Sequence, residues 1–262
     1  MKVHPKRFAF ISKRLAWTFA FLVILLVFFG AWRYNQNSLI QRVDIEIVNN
    51  PDSLRFVQSE DVKDIIFKEF GHYIEGQPIG KVKLLDIENI LEKDGFIKEA
   101  NVYIDAQNIL HLKITQRRPI VRVIDISEPH YYLDLEGKKI DISPKYTARV
   151  LTITGNIGLF TENYQEIDNN RLKKAFILAS YIYRDPFWSA QIEQIHIDFA
   201  GEATLAPKIG DHIIPFGIPD ENISQKLKYL KAFYKEAMPI EGWNEYKSIA
   251  VGYKNQIVAK KR

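Results

Sequence analysis

The sequence predicts an α+β protein: a single N-terminal transmembrane helix, a small β-α-α-β-β module, and then a mostly antiparallel β domain with two helices. Three observations predict it. Residues Leu15–Trp32 run for eighteen positions without a charge. Residues 40–118 order strand, helix, helix, strand, strand by their apolar periodicity. From residue 119 onward, short alternating segments set off by turn residues outnumber the helical ones.

As a helix the apolar run is about 27 Å long, close to the roughly 30 Å hydrocarbon thickness of a bilayer. Thr18 is its one polar side chain, and a threonine hydroxyl can return to a backbone carbonyl one turn earlier. Leu15, Leu22 and Leu26 would face lipid, while Trp17 and Trp32 stand near the ends, where indoles favour headgroups. Lys2, Lys6, Arg7, Lys13 and Arg14 precede the run, and Arg33 alone follows it closely. Positive charge stays cytoplasmic, so residues 1–14 form an inner basic tail, 15–33 the span and 34–39 a polar linker. A cleaved signal peptide is the competing reading. Its apolar region would exceed the usual roughly 7–15 residues, so a retained anchor in the lipid bilayer is expected.

The charge total changes meaning once the anchor is set aside. Residues 1–33 hold six of the 36 basic residues and no acid, leaving 30 basic against 32 acidic, a net of −2. The basic pI is therefore a topology signal and gives no support for a nucleic-acid partner. The exported 229 residues suffice for one large or two small domains, here 40–118 and 119–262. The absence of cysteine excludes a thiol nucleophile, disulfides and a cysteine metal site.

In the first domain, Arg42–Val48 alternates as a half-buried strand, and residues 49–53 read as a turn. Ser59 is expected to cap a helix carrying Val62, Ile65, Ile66 and Phe70 on one face, closed by Gly71. Gly76–Gly80 is a turn. Leu85, Ile87, Ile90 and Leu91 mark a second amphipathic helix. Ile97–Ile104 and Ile109–Thr115 are strands around a turn at 106–108, with Leu110, Leu112 and Ile114 facing inward. Sheet against two helices makes a small sandwich.

In the second domain, Pro119–Ile124 leads to a hairpin over Tyr131–Ile140 that turns at Glu136-Gly137. Strands follow at Arg149–Gly155, Glu193–Phe199, Glu202–Pro207, His212–Phe216, Tyr246–Tyr253 and Gln256–Lys260. Helices are expected at Asn170–Tyr183, with Leu172, Ala175, Phe176 and Ala179 inward, and at Asp220–Met238, with Leu227, Leu230 and Phe233.

Chemistry is sparse. The six histidines form no HExxH and no i, i+4 pair, and no nucleophile elbow, Walker loop or dinucleotide fingerprint occurs. His196 and Asp198 would share one strand face as a metal pair or acid–base dyad, but an exposed sheet face explains them better. Gly155-Asn-Ile-Gly158 reads as a turn before it reads as a phosphate loop. Asp134 and Glu136 read as solvated hairpin charges rather than paired catalytic carboxylates. Arg117-Arg118-Pro119 could meet an acidic partner or anionic lipid, though a solvated domain junction is the simpler account. No catalytic residue, cofactor or metal ligand is expected.

Val43-Asp-Ile-Glu-Ile, Ser59-Glu-Asp-Val, Ile97-Lys-Glu-Ala-Asn-Val and Leu112-Lys-Ile-Thr-Gln-Arg-Arg-Pro-Ile-Val follow one another in the first domain. Tyr132-Leu-Asp-Leu-Glu-Gly and Tyr253-Lys-Asn-Gln-Ile-Val follow in the second. This order, behind a basic tail and one span, resembles the FtsQ/DivIB family of bacterial cell-division proteins, and the first domain resembles a POTRA domain. Gln116, where relatives often carry glutamate, and Ala250-Val251-Gly252, where an Asp-Leu-Arg-like strand is common, depart from the pattern. The resemblance implies a non-catalytic scaffold of the divisome in the bacterial inner membrane, with its domains outside the cytoplasm at the septum. It implies FtsB/DivIC-like and FtsL-like partners and support of the septal peptidoglycan synthase complex. A POTRA-bearing envelope assembly factor and a membrane-anchored cell-wall enzyme are the alternatives.

The residues also suggest where a partner docks. In Tyr246–Tyr253, Ile249, Val251 and Tyr253 share one face, and Ser248, Ala250 and Gly252 leave the other nearly bare. A strand so near the chain end can lie at a sheet edge and pair with another chain through its main chain. With Gln256 and Val258, the resemblance carries the FtsB-like contact onto this stretch. Lys247, Lys254 and Lys260 support the opposite reading, a guarded edge.

Overall fold

A computed structural model describes residues 6–48, 56–126, 129–253 and 256–262, with side chains from Trp17 onward. The expected turn at 49–53 and the side chain of Leu15 lie outside the described residues, as does Lys254. The described residues form two compact units. One holds the chain up to Val48 with Val57–Thr115, and the other holds Phe56 with Gln116–Arg262.

The first unit opens with α1 (Lys6–Asn37), the helix among the described residues long and apolar enough to cross a membrane. Trp17, Leu22, Leu26 and Trp32 are all exposed on it. The helix runs on through most of the expected linker, because Tyr34-Asn-Gln-Asn holds no breaker and extending a formed helix costs little. β1 (Arg42–Val48), α2 (Ser59–Phe70), α3 (Leu84–Glu92), β2 (Ile97–Ile104) and β3 (Ile109–Gln116) follow.

The α2 cap lies one residue before the expected Ser59. The Gln58 amide donates to the Asp61 carboxylate at 2.9 Å, which favours Gln58 at the cap. Gly71 ends α2 in the left-handed region, at φ 73°, as a C-terminal glycine should. Val62 and Ile66 of α2 and Ile87 and Leu91 of α3 are buried on the sheet, but Leu85 is 66% exposed.

The sheet order is β1-β3-β2, with β1 parallel to β3. Two carboxylates of α3 reach the outer edge of β2. Glu92 accepts from the Ala100 amide at 3.1 Å, and Glu88 from the Val102 amide at 2.8 Å. That edge is therefore blunted by its own helix.

The second unit is built on β4 (Pro119–Asp125), β5 (Tyr131–Asp134), β6 (Lys139–Asp141), β7 (Leu151–Gly155), α4 (Arg171–Arg184), α5 (Pro186–Gln191), β8 (Ile192–Ile197), β9 (Ala203–Pro207), β10 (Ile214–Gly217), α6 (Ile223–Glu236), α7 (Met238–Glu241), β11 (Tyr246–Ala250) and β12 (Val258–Lys261). Seven strands lie in the order β10-β9-β8-β7-β4-β5-β6. The outer pairs are antiparallel, but β4 runs parallel to β7 and β7 to β8. The parallel step from β7 to β8 is made by α4 and α5, since parallel neighbours need a long crossover.

α4 buries Leu172, Ala175, Phe176 and Ala179 as expected, and Asn170 caps it by accepting from the Lys173 amide at 3.0 Å. Leu227 and Leu230 of α6 join the same core, while Phe233 is partly buried. The periodicity did not suggest α5. It is one turn and a half, started by Pro186, and it carries the fully buried Trp188.

Asp185 holds α5 in place. Its carboxylate accepts from the Phe187 amide at 2.9 Å and from Lys231 of α6 at 2.8 Å. The Lys231 hydrogen bond is the main reason its pKa lies below the ordinary carboxylate value. A depressed folded-state pKa adds stability above the unfolded value near 3.9 and loses it as the pH falls through the folded one. Lys231→Met is therefore expected to lower stability at pH 7 and to leave less of it to lose between pH 5 and pH 2. Equal losses at pH 7 and pH 2 in urea melts would refute this coupling.

Candidate functional site

The last two strands sit beside the seven-stranded sheet. β11 and β12 pair antiparallel, with Ser248 opposite Lys260, Ile249 opposite Ala259 and Ala250 opposite Val258. On its other side β11 meets the chain entering β10. Ile249 donates to the Ile213 carbonyl at 3.0 Å, Ile213 donates to Lys247, and Val251 donates to Pro215 at 3.0 Å. The expectation of a free edge on Tyr246–Tyr253 is thus corrected. β11 is bonded on both sides, and among the described residues the open edge passes to β12.

Ile249 and Val251 share one face, as expected, and it points into the core. Tyr253 does not: it lies past the strand and is 57% exposed. A bulge between Tyr246 and Ser248 instead puts Tyr246 on the buried side. Ser248 and Ala250 are half-buried, and Gly252 and Gln256 are exposed. Gly252 approaches the backbone of Gly217, and a Cβ on it would stand 3.6 Å from the Gly217 Cα, an ordinary contact.

Since Ile249 and Val251 bond towards β10, Ser248 and Ala250 of β11 turn their backbone groups towards Lys260 and Val258 of β12, which therefore take the inward positions. Alternation then turns the amides and carbonyls of Ala259 and Lys261 outward. The side chains split the other way. Ile257 and Ala259 pack on the core, and Val258 is 46% exposed beside Lys260. Beyond its ladder with β11, the end of the strand carries two exposed ion pairs. Lys261 pairs with Glu241 and Arg262 with Asp211 at 3.6 Å, while the Arg262 amide donates to Glu245 at 3.0 Å. Glu241 accordingly raises the pKa of Lys261.

His212, buried under the β10–β11 junction, meets the Tyr234 hydroxyl through Nε2. Burial lowers its pKa and raises that of Tyr234. Nothing in the local pattern marks this pair, because it joins a strand entrance to the far end of α6.

The sequence-level polar candidates all prove to be engaged locally. β8 ends at Ile197, so Asp198 leaves the strand and accepts from the Ala200 and Glu202 amides at 2.8 and 2.9 Å. His196 instead lies 3.1 Å from the Thr154 hydroxyl. The Ile157 and Gly158 amides donate to Asp125 at 3.0 and 3.1 Å, which turns that loop into a closed turn. Gly155 is required there, since a Cβ would stand 2.0 Å from the Ile197 carbonyl.

Asp134 is buried and accepts from the Glu136 and Lys138 amides and from Arg117 Nη1 at 3.0 Å. Arg117 therefore belongs to a structural ion pair rather than to a solvated junction. Gln116, the departure from the family pattern, is buried and accepts from the Phe56 amide at 3.1 Å.

Comparison with known proteins agrees with this architecture. Residues 118–260 match the family described as FtsQ/DivIB, C-terminal related. Residues 39–115 match the POTRA-like domain. No curated protein matches the chain. The first match spans more than half of the 262 residues, and the apolar helix stands ahead of both domains, so the chain belongs to the FtsQ/DivIB family as a single-pass membrane protein with a role in cell division.

Proposed function

We propose that this protein is a non-catalytic divisome scaffold whose β12 edge takes up a strand from an FtsB/DivIC-like partner. The outward main chain of Ala259 and Lys261 carries this reading: it is a row of donors and acceptors that an added strand would satisfy. Ser248–Tyr253, Gln256 and Val258 then act as one site. β12 supplies the edge, and β11 supports it from behind. Exposed Val258 and Lys260 would meet the partner's side chains, with Lys260 favouring an acidic neighbour.

An FtsL-like protein would join through the first partner, and the assembly would support the septal peptidoglycan synthase. In this reading the chain sits in the inner membrane with its N-terminus cytoplasmic, which the charge asymmetry around α1 supports. The non-catalytic reading rests on the local engagement of Asp198, Asp134 and Asp125 in turns and ion pairs.

Proline tests the edge, because it removes a backbone donor. Ala259→Pro should abolish co-purification of the FtsB/DivIC-like protein from membranes while the thermal unfolding of the chain stays near that of the parent. Lys260→Pro removes an inward donor and should lower the unfolding temperature. Undiminished capture by a folded Ala259→Pro chain, and by one lacking residues 256–262, would exclude β12 as the dock.

A further inference from the structure

At the entrances of β4, β7 and β8 the second unit contains a cavity of about 560 Å3. That volume lies within the roughly 300–1,000 Å3 range of specific ligand sites. Ile120, Ile182 and Ile192 are buried behind its wall, and half-buried Val150 and Leu151 line it. Arg118, Arg149 and Lys208 also line it, against Glu193 as the one acid in the lining. Arg149 and Lys208 are exposed, and among the described residues neither takes part in an ion pair. The Lys208 ammonium is steadied by the Ser189 carbonyl at 3.0 Å, and the Arg118 guanidinium by the Tyr183 ring at 5.8 Å. This local excess of positive charge stands out in an exported region whose net charge is −2.

We propose that this cavity binds a short acidic segment of a partner polypeptide, with carboxylates at the cations and an apolar side chain against Val150 and Leu151. The three cations come from different places in the chain: just before β4, just before β7 and just after β9. With β8 between β7 and β9, these positions lie at one end of four neighbouring strands about 4.8 Å apart, a row that suits several carboxylates strung along a chain, whereas a single phosphate calls for converging donors. A bilayer surface is too flat to reach Val150 and Leu151 inside a concavity. The site does not depend on the β12 reading.

The test uses the full chain in neutral detergent and a fluorescein-labelled hexapeptide alternating leucine and glutamate, followed by anisotropy. Saturable binding is expected. It should fall about tenfold or more in Arg149→Glu with Lys208→Glu, and similarly when glutamine replaces every glutamate of the peptide. Arg149→Lys should largely retain binding, and Ala259→Pro should leave it unchanged. If the double variant unfolds, Arg149→Gln at its exposed position carries the same test. Absence of saturable binding would overturn the proposal, as would equal binding of the glutamine peptide or equal binding by the charge-reversed chain. Displacement by short-chain phosphatidylglycerol but not phosphatidylcholine would also overturn it, by reassigning the cavity to a lipid headgroup.

Discussion

Asp134→Ala is expected to destabilise the second unit by about 3–5 kcal/mol, the usual cost of removing one member of a buried ion pair. The side chain of Asp134 is 2% exposed and that of Arg117 18%, so water cannot replace the lost partner cheaply. Two hairpin amides, of Glu136 and Lys138, lose their acceptor at the same time. Asp134→Asn should cost less, since an amide oxygen can still accept from those two N–H groups. Arg117→Met alone leaves a buried carboxylate unpaired, while Arg117→Met with Asp134→Leu should recover part of the loss. Urea unfolding followed by tryptophan fluorescence reads all four variants. A cost for Asp134→Ala below about 1 kcal/mol, typical of a surface pair, would refute the structural role.

Leu22→Arg together with Leu26→Arg should release the chain from membranes. Both side chains are exposed near the middle of the apolar run, four residues apart and hence on one face of α1. Each arginine at a helix centre costs about 2.5–3.5 kcal/mol of insertion free energy, so the pair removes about 5–7 kcal/mol. The expected result is a chain extracted from the membrane pellet by alkaline carbonate, and a reporter fused after Arg262 that no longer shows extracytoplasmic activity. A double variant that remains carbonate-resistant would sink the anchor reading of α1.

Much of the fold was legible because its elements announce themselves locally. The alternation of Arg42–Val48, the buried Leu110-x-Leu112-x-Ile114 stripe, the Leu172, Ala175, Phe176 and Ala179 face and the Gly71 terminator each act within a few turns of chain. Elements were missed where local signals were short or misleading. α5 spans six residues, too few to show a period, and its Trp188 is buried by α6 and the sheet. Leu85 satisfies the helical pattern of α3 yet lies outside the buried stripe, because Ile87 and Leu91 fill the contact.

The candidate site was legible as a region but not as an edge. Small residues at Ser248, Ala250 and Gly252 indicated a strand with an unusual face. They could not reveal that the chain entering β10, fewer than forty residues earlier, occupies one side of β11. The bulge at Tyr246/Ser248 was equally hidden, and it shifts which side chains are buried.

The sequence by itself determined the apolar anchor, the faces of most strands and helices, and the family, since each follows from residue type and spacing along the chain. Only the tertiary structure decided the parallel centre of the second sheet, the closure of the polar candidates into turns and ion pairs, and the transfer of the open edge from β11 to β12. The reason is physical. A strand's side-chain pattern specifies which face is buried, but its hydrogen bonds lie in the plane of the sheet and are carried by a backbone that every residue shares.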